Sequence, residues 1–263
     1  MNRNRTWSWV VACLLYVFLY APIVAVVIYS FNAAKYGGPW AGFSVEWYAK
    51  LFSTSEKLDA AANSLVLAVT STAISTVLGT MLGYGLVRYS FPGKKAFSWL
   101  MYFPVVVPEI VMAVSILIFY SMMHAWLGLF QLGLGTMILA HITFQVPFVA
   151  IVVRARMAGM DPSIEEAAHD LGASHWQKFR YITLPLILPG VLAGAALAFT
   201  LSIDDFVVSY FTAGPGATTL PILIFSSVKR GVTPDVNALS TLIILVSIIS
   251  TITVLMFIRK RQF

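Results

Sequence analysis

Three of the chain's 11 acidic residues, Glu109, Asp204 and Asp205, lie inside long apolar runs, and no Lys or Arg lies deep in any such run. A carboxylate in apolar surroundings costs about 2.5–3.5 kcal/mol on insertion scales, so each should face a cavity or a partner. Each admits two readings: a structural contact to a neighbouring helix, or part of the wall of a polar route. Acids without balancing bases describe a route suited to a cation, whereas an anion carrier calls for a buried Arg or Lys. At helical spacing Ser202, Asp205 and Ser209 share a face, and Asp204 sits about 100° round from it. Which aspartate faces the route stays open.

A second group of residues lies at 154–185, between two apolar runs. Asp161-Pro162 has the form of a helix start, with a capping side chain followed by Pro at the first helical position. Ile164, Ala167, Ala168 and Leu171 recur at i, i+3, i+4 and i+7 as one apolar stripe. Gly172 suits a left-handed stop, and Ser174-x-x-Gln177 is a capping box for a second short helix that Leu184-Pro185 closes. The expectation is two short helices with an acidic face of Glu165, Glu166 and Asp170.

Other chemistry is sparse. His124, His141, His169 and His175 show no tight metal-ligand spacing. His141 and Gln145, one turn apart, read as polar glue between helices. Gly93-Lys94 is not a phosphate-binding loop, since Arg88 stands where the first Gly is required and Lys95 where Ser or Thr is required. The single cysteine, Cys13, excludes an intrachain disulfide.

The elements that hold these residues must cross a membrane. The chain has 263 residues, 59% hydrophobic and 11% charged, with a mean hydropathy of +0.84. A soluble domain carries about 25% charge. Spans of about 20 residues fall at 8–31, 60–87, 97–123, 133–153, 186–211 and 238–258, within a single domain covering 1–263. The first run is too long for the apolar core of a signal peptide and reads as an uncleaved helix. A helix entering at Phe97 carries Glu109 about 18 Å up, and one entering at Leu186 carries the Asp pair about 27 Å up.

Orientation follows the bases. Taking the N-terminus as inside puts twelve there: Arg3, Arg5, Arg88, Lys94, Lys95, Arg154, Arg156, Lys178, Arg180, Arg259, Lys260 and Arg261. Five lie outside: Lys35, Lys50, Lys57, Lys229 and Arg230. Basic loops stay cytoplasmic, so both termini are expected there. This bias also accounts for the net charge of +6 without a nucleic-acid partner. Trp7, Trp9, Trp99 and Trp126 suit interfacial anchoring in lipid. Gly79-x-x-x-Gly83 and Gly190-x-x-x-Gly194 permit close helix contact. Outside, the Trp47-Tyr48 pair suits the membrane surface, and Leu220-Pro221 opens an apolar run too short to span.

The spacing Glu166-Ala167-Ala168, Gly172, Ile182, Leu184 and Pro185 resembles the EAA loop of ABC-transporter inner-membrane permeases, with every defined position present. The resemblance implies an all-α, six-span bundle of the type I (MetI-like) importer class. It implies that these seven residues form coupling helices docked on a separate ATPase dimer, which binds ATP and Mg, and that this chain is not itself an enzyme and carries no cofactor.

A narrower resemblance rests on Ile28-Tyr29-Ser30-Phe31-Asn32, the Phe43–Tyr48 stretch, Pro108-Glu109-Ile110-Val111 and Ser202-Ile203-Asp204-Asp205. It continues through Gly214-Pro215 and Leu220-Pro221 to Gly231-Val232. These residues are similar to those of the spermidine/putrescine import family. That resemblance implies a second homologous permease, a periplasmic polyamine-binding protein, a bacterial inner-membrane location and a polyamine cargo touched by Glu109, Asp204, Asp205 and Ser209. Another small cargo such as ferric iron is the alternative within this class, and a secondary transporter the alternative class.

Overall fold

The computed structural model describes residues 3–34, 38–53, 55–230 and 234–260. Lys35, Gly231, Val232 and Arg261, used above, lie outside them. Twelve helices occur among the described residues: α1 (Arg3–Tyr29), α2 (Glu46–Ser53), α3 (Ser55–Arg88), α4 (Lys94–Val106), α5 (Glu109–Leu127), α6 (Leu134–Ala158), α7 (Ser163–Asp170), α8 (His175–Lys178), α9 (Leu184–Ile203), α10 (Val207–Thr212), α11 (Leu220–Arg230) and α12 (Pro234–Lys260). Five stretches are long and apolar enough to cross a membrane: Trp7–Tyr29, Ser55–Arg88, Glu109–Leu127, Leu134–Ala158 and His175–Ile203. The 27-residue α12 occupies the sixth expected span. The chain divides into two compact units, Met1–Asp59 with Leu223–Ser250, and Ala60–Ile222 with Thr251–Phe263.

In the first unit, Asn32 organises the turn after α1. Its side-chain oxygen accepts from the Ala34 and Ala41 N–H groups, and its backbone oxygen accepts from Trp47 Nε1 at 2.8 Å. Phe31 stacks on Phe43, and Lys57 pairs with Asp235 at 2.7 Å.

The second unit is built around α6. Val149, Val153 and Met157 pack with Ile187, Val191 and Ala198 of α9, while Ala140 and Phe144 pack with Ala113 and Tyr120 of α5 and Val208 of α10. Both glycine pairs are contact sites. A Cβ on Gly79 would fall 2.6 Å from Val149 Cβ, and one on Gly83 would fall 2.8 Å from the Ala150 carbonyl. On the opposite flank, Gly190 would meet Arg156 Cβ at 2.7 Å and Gly194 would meet Val149 Cγ1 at 3.1 Å. Only helices lacking side chains at these points approach α6 this closely.

Two expected spans are interrupted. The third divides at Val107-Pro108. Pro108 disfavours helical geometry in the residue before it, and Val107 is extended at φ −75° and ψ 133°. Pro104 is absorbed within α4. The fifth divides at Asp204–Phe206, where Asp205 turns its carboxylate onto the first N–H groups of α10: Val208 N–H donates to Oδ1 at 3.2 Å and Ser209 N–H to Oδ2 at 2.7 Å. A side chain that captures backbone donors competes with helix continuation, as Asp does at N-caps.

Candidate functional site: an acidic junction and the 154–185 loop

The two interruptions bring the acids together. Glu109 heads α5, and it lies close enough to Asp205 and Asp204 for the three carboxyls to act on one another electrostatically. The two-depth placement above assumed unbroken helices and does not hold; Glu109 and the Asp pair share one neighbourhood. Their exposure differs sharply. Glu109 and Asp204 are exposed, whereas Asp205 is 5% exposed and Ser209 fully buried.

Asp205 is held from behind. His141 on α6 is fully buried, with Nδ1 2.7 Å from Ser202 Oγ and Nε2 3.1 Å from Ser209 Oγ and 3.3 Å from Asp205 Oδ2. The face expected from Ser202, Asp205 and Ser209 thus converges on one imidazole. One turn along α6, the buried Gln145 donates from Nε2 to Ser71 Oγ and the Ala198 carbonyl, and accepts from Ser75 Oγ. His141 and Gln145 therefore join α6 to α3, α9 and α10, as expected of polar groups buried within a bundle. The anchoring of Asp205 by His141 was not foreseen. The available signal was a polar residue on an otherwise apolar helix facing the Ser-x2-Asp-x3-Ser pattern.

The loop between α6 and α9 folds largely as its caps dictate. Asp161 accepts from Ser163 N–H at 2.9 Å, a bond that holds its exposed carboxyl below the usual aspartate range. Gly172 takes φ +83°, and the Ala173 N–H reaches back to the Ala168 carbonyl at 3.0 Å, closing α7 with a left-handed cap. Ser174 and Gln177 form the capping box.

Two details differ from expectation. Glu165 does not join the acidic face; it is 5% exposed and accepts from Arg88 Nη2 at 2.8 Å and from Thr183 Oγ1 at 2.9 Å, with Lys178 Nζ 3.7 Å away. Leu184-Pro185 also does not end the second loop helix. Instead α8 runs through a π-helical turn, Phe179–Thr183, directly into α9. Pro185 removes one N–H and crowds the carbonyl four residues back, and the Leu184 N–H bonds the Phe179 carbonyl five residues back.

The seven EAA positions are all placed. Glu166 and Ala167 are exposed and Ala168 is buried; Gly172 makes the bend; Ile182 sits in the π turn, and Leu184 and Pro185 open α9. The apolar stripe is mostly uncovered, with Ile164 43% and Leu171 89% exposed, and Trp176 beside it 65% exposed.

The family model described as "Binding-protein-dependent transport system inner membrane component" matches residues 75–262. This chain belongs to that family. It is 44% identical over 240 residues to the putrescine transport system permease protein PotI of Escherichia coli (strain K12), covering 90% of this chain and 85% of that one. It is 41% identical to the spermidine/putrescine transport system permease protein PotC of Haemophilus influenzae, covering 94% and 95%. A solved bacterial ABC transporter involved in import of the acidic polysaccharide alginate shares the fold at TM-score 0.78 and 20% identity, over 99% of this chain and 97% of that one. A methionine ABC transporter captured facing inward matches at TM-score 0.64 and 20% identity, over 78% and 95%. The chain is thus a multi-pass inner-membrane permease subunit of an ABC importer, a non-catalytic component.

Proposed function

We propose that this permease passes polyamines inward, with Glu109 and Asp204 as the carboxylates that meet the cargo. The observation that carries the reading is the acidic junction, where two helix interruptions bring three carboxyls together with two of them exposed. An extended polycation exchanges hydration for successive carboxylate contacts, and exposed acids hold it weakly enough for release. Asp205, Ser209 and His141 shape this site from behind. The names of the PotI and PotC relatives support putrescine and spermidine as cargo. Iron finds less support, because among the described residues no group of three or more His, Cys, Asp or Glu is arranged to hold a metal ion.

The remaining assembly follows the same reading. The loop carrying Glu166, Ala167, Ala168 and Gly172 docks on a partner ATPase dimer, which binds ATP and Mg, and its exposed Ile164 and Leu171 supply apolar contact. A second homologous permease completes the pathway, and a periplasmic polyamine-binding protein delivers cargo. Both termini lie in the cytoplasm by the excess of inner bases. Closure of the ATPases moves the loop and rocks the bundle between outward and inward openings.

The test is reconstitution of the complete importer in liposomes with binding protein outside and ATP inside. Labelled putrescine or spermidine should accumulate only with hydrolysable ATP. Accumulation of another solute in its place, with polyamines inert, overturns the cargo assignment.

A further inference from the structure

Glu165 is an acid with no place in the route or on the docking face, yet it is among the most thoroughly engaged side chains of the cytoplasmic region. It is 5% exposed, and its partners come from three separate elements. Arg88 is the last residue of α3, Lys178 the last of α8, and Thr183 closes the π turn. Arg88 Nη2 and Thr183 Oγ1 both donate to Oε1, at 2.8 and 2.9 Å, while Lys178 lies 3.7 Å from Oε2. Both carboxylate oxygens are therefore occupied. The neighbouring Glu166 is exposed, so adjacent glutamates on α7 point to different environments.

The geometry points to Glu165 as a positioning residue, a clamp that makes the docking loop, the end of α3 and the root of α9 move as one body. The inference rests on the coupling role proposed above for this loop. Three features of the structure require it. First, α7 contributes little packing of its own, since Ile164 and the following Leu171 are exposed and its one buried apolar side chain is Ala168. A force applied to α7 without the clamp would bend the loop at Gly172, where φ is +83° and a Cβ would meet nothing within 4 Å. Second, α8, the π turn and α9 are one continuous helical stretch, His175–Ile203. A displacement at its root travels along it as a rigid element. Third, that stretch ends at Asp204, its C-cap residue. The clamp therefore ties the docking surface to the element whose far end carries the exposed aspartate.

Such a residue touches neither cargo nor nucleotide, so its loss should separate hydrolysis from transport. The measurement uses the complete transporter in liposomes, reading polyamine uptake and ATP hydrolysis per assembled complex. For Glu165→Gln we expect co-purification of the ATPase and basal hydrolysis within twofold of the unmodified complex, with uptake per ATP at least tenfold lower. Stimulation of hydrolysis by the loaded binding protein should also fall, because the signal to the ATPase would travel through the same clamped body. Arg88→Gln should give the same loss, and the Arg88→Gln/Glu165→Gln double variant should be no worse than either single, as expected for two ends of one contact. Thr183→Val, which keeps the ion pair, should fall in between.

Uptake per ATP within twofold of the unmodified value in Glu165→Gln overturns the inference. So does independent addition of the two single losses. Failure of both Glu165→Gln and Thr183→Val complexes to assemble assigns Glu165 to folding alone and also overturns it. Glu166→Lys serves as the control on the underlying reading. If that variant retains the ATPase and full uptake, the loop is not the coupling element, whatever Glu165 does.

Discussion

His141 Nε2 lies 3.3 Å from Asp205 Oδ2, and both side chains are sealed from solvent, at 0% and 1% exposure. The contact joins α6 to the first residues of α10 across the break in the fifth span. Asp205 already accepts two backbone N–H groups there. Two adjacent aspartates thus divide their work: one builds the junction, and the other lies open on it.

That division predicts different failures. Asp205→Ala leaves the Val208 and Ser209 N–H groups without their carboxylate acceptor, and each buried unpaired group costs about 1–3 kcal/mol. The melting temperature of the purified complex should fall clearly. Asp204→Ala, at an exposed site, should leave it nearly unchanged. Thermal unfolding of the two variants side by side reads the difference, and equal melting temperatures contradict it.

Transport should show the reverse emphasis for the open acids. Glu109→Gln and Asp204→Asn each remove one charge from the cargo's path without emptying a buried bond. A lost contact of about 1.4 kcal/mol corresponds to about tenfold in affinity. Each variant should therefore raise the KM for polyamine uptake by roughly that factor, with assembly intact. A KM unmoved in both variants removes these residues from the pathway.

The uneven success of the sequence reading has physical causes. Pro108 acts on its immediate neighbour, a local signal, yet the third expected span runs straight through it from 97 to 123. The break at Asp204–Phe206 has no proline; it depends on Asp205 capturing the N–H groups of Val208 and Ser209, with His141 sixty-four positions upstream holding the carboxylate in place. Local spacing cannot report that partner. The caps at Asp161, Gly172 and Ser174 are local devices and were readable for that reason. Glu165 and Glu166 are chemically identical neighbours, and only the positions of Arg88, Lys178 and Thr183 in the fold tell them apart.

Helix packing offers a test independent of transport. Gly79→Ala places a methyl group 2.6 Å from Val149 Cβ and 2.9 Å from the Val146 carbonyl, and overpacking of this kind costs about 1–3 kcal/mol. Gly85, on the same helix, has nothing within 4 Å of its Cβ position. Gly85→Ala should be neutral or stabilising, by up to about 1 kcal/mol of helix propensity. Equal melting temperatures for the Gly79 and Gly85 variants would show that α3 does not approach α6 as described.

The uncovered stripe on α7 leads to the last prediction. Leu171 is 89% exposed in a polar loop, where lipid does not account for it, and Glu166 beside it is also exposed. If both meet the ATPase, an apolar and a charged contact are lost separately. Leu171→Asp removes burial and adds a charge to the docking face; Glu166→Lys reverses one. Each should lower the amount of ATPase retained on the purified permease, and high salt, which screens the new repulsion, should shrink the loss in Glu166→Lys. Because neither side chain is buried in this chain, the permease's own helical content and melting behaviour should stay unchanged. Retention of the ATPase by both variants at low salt, where the charge contact is least screened, would place the docking surface elsewhere on the permease.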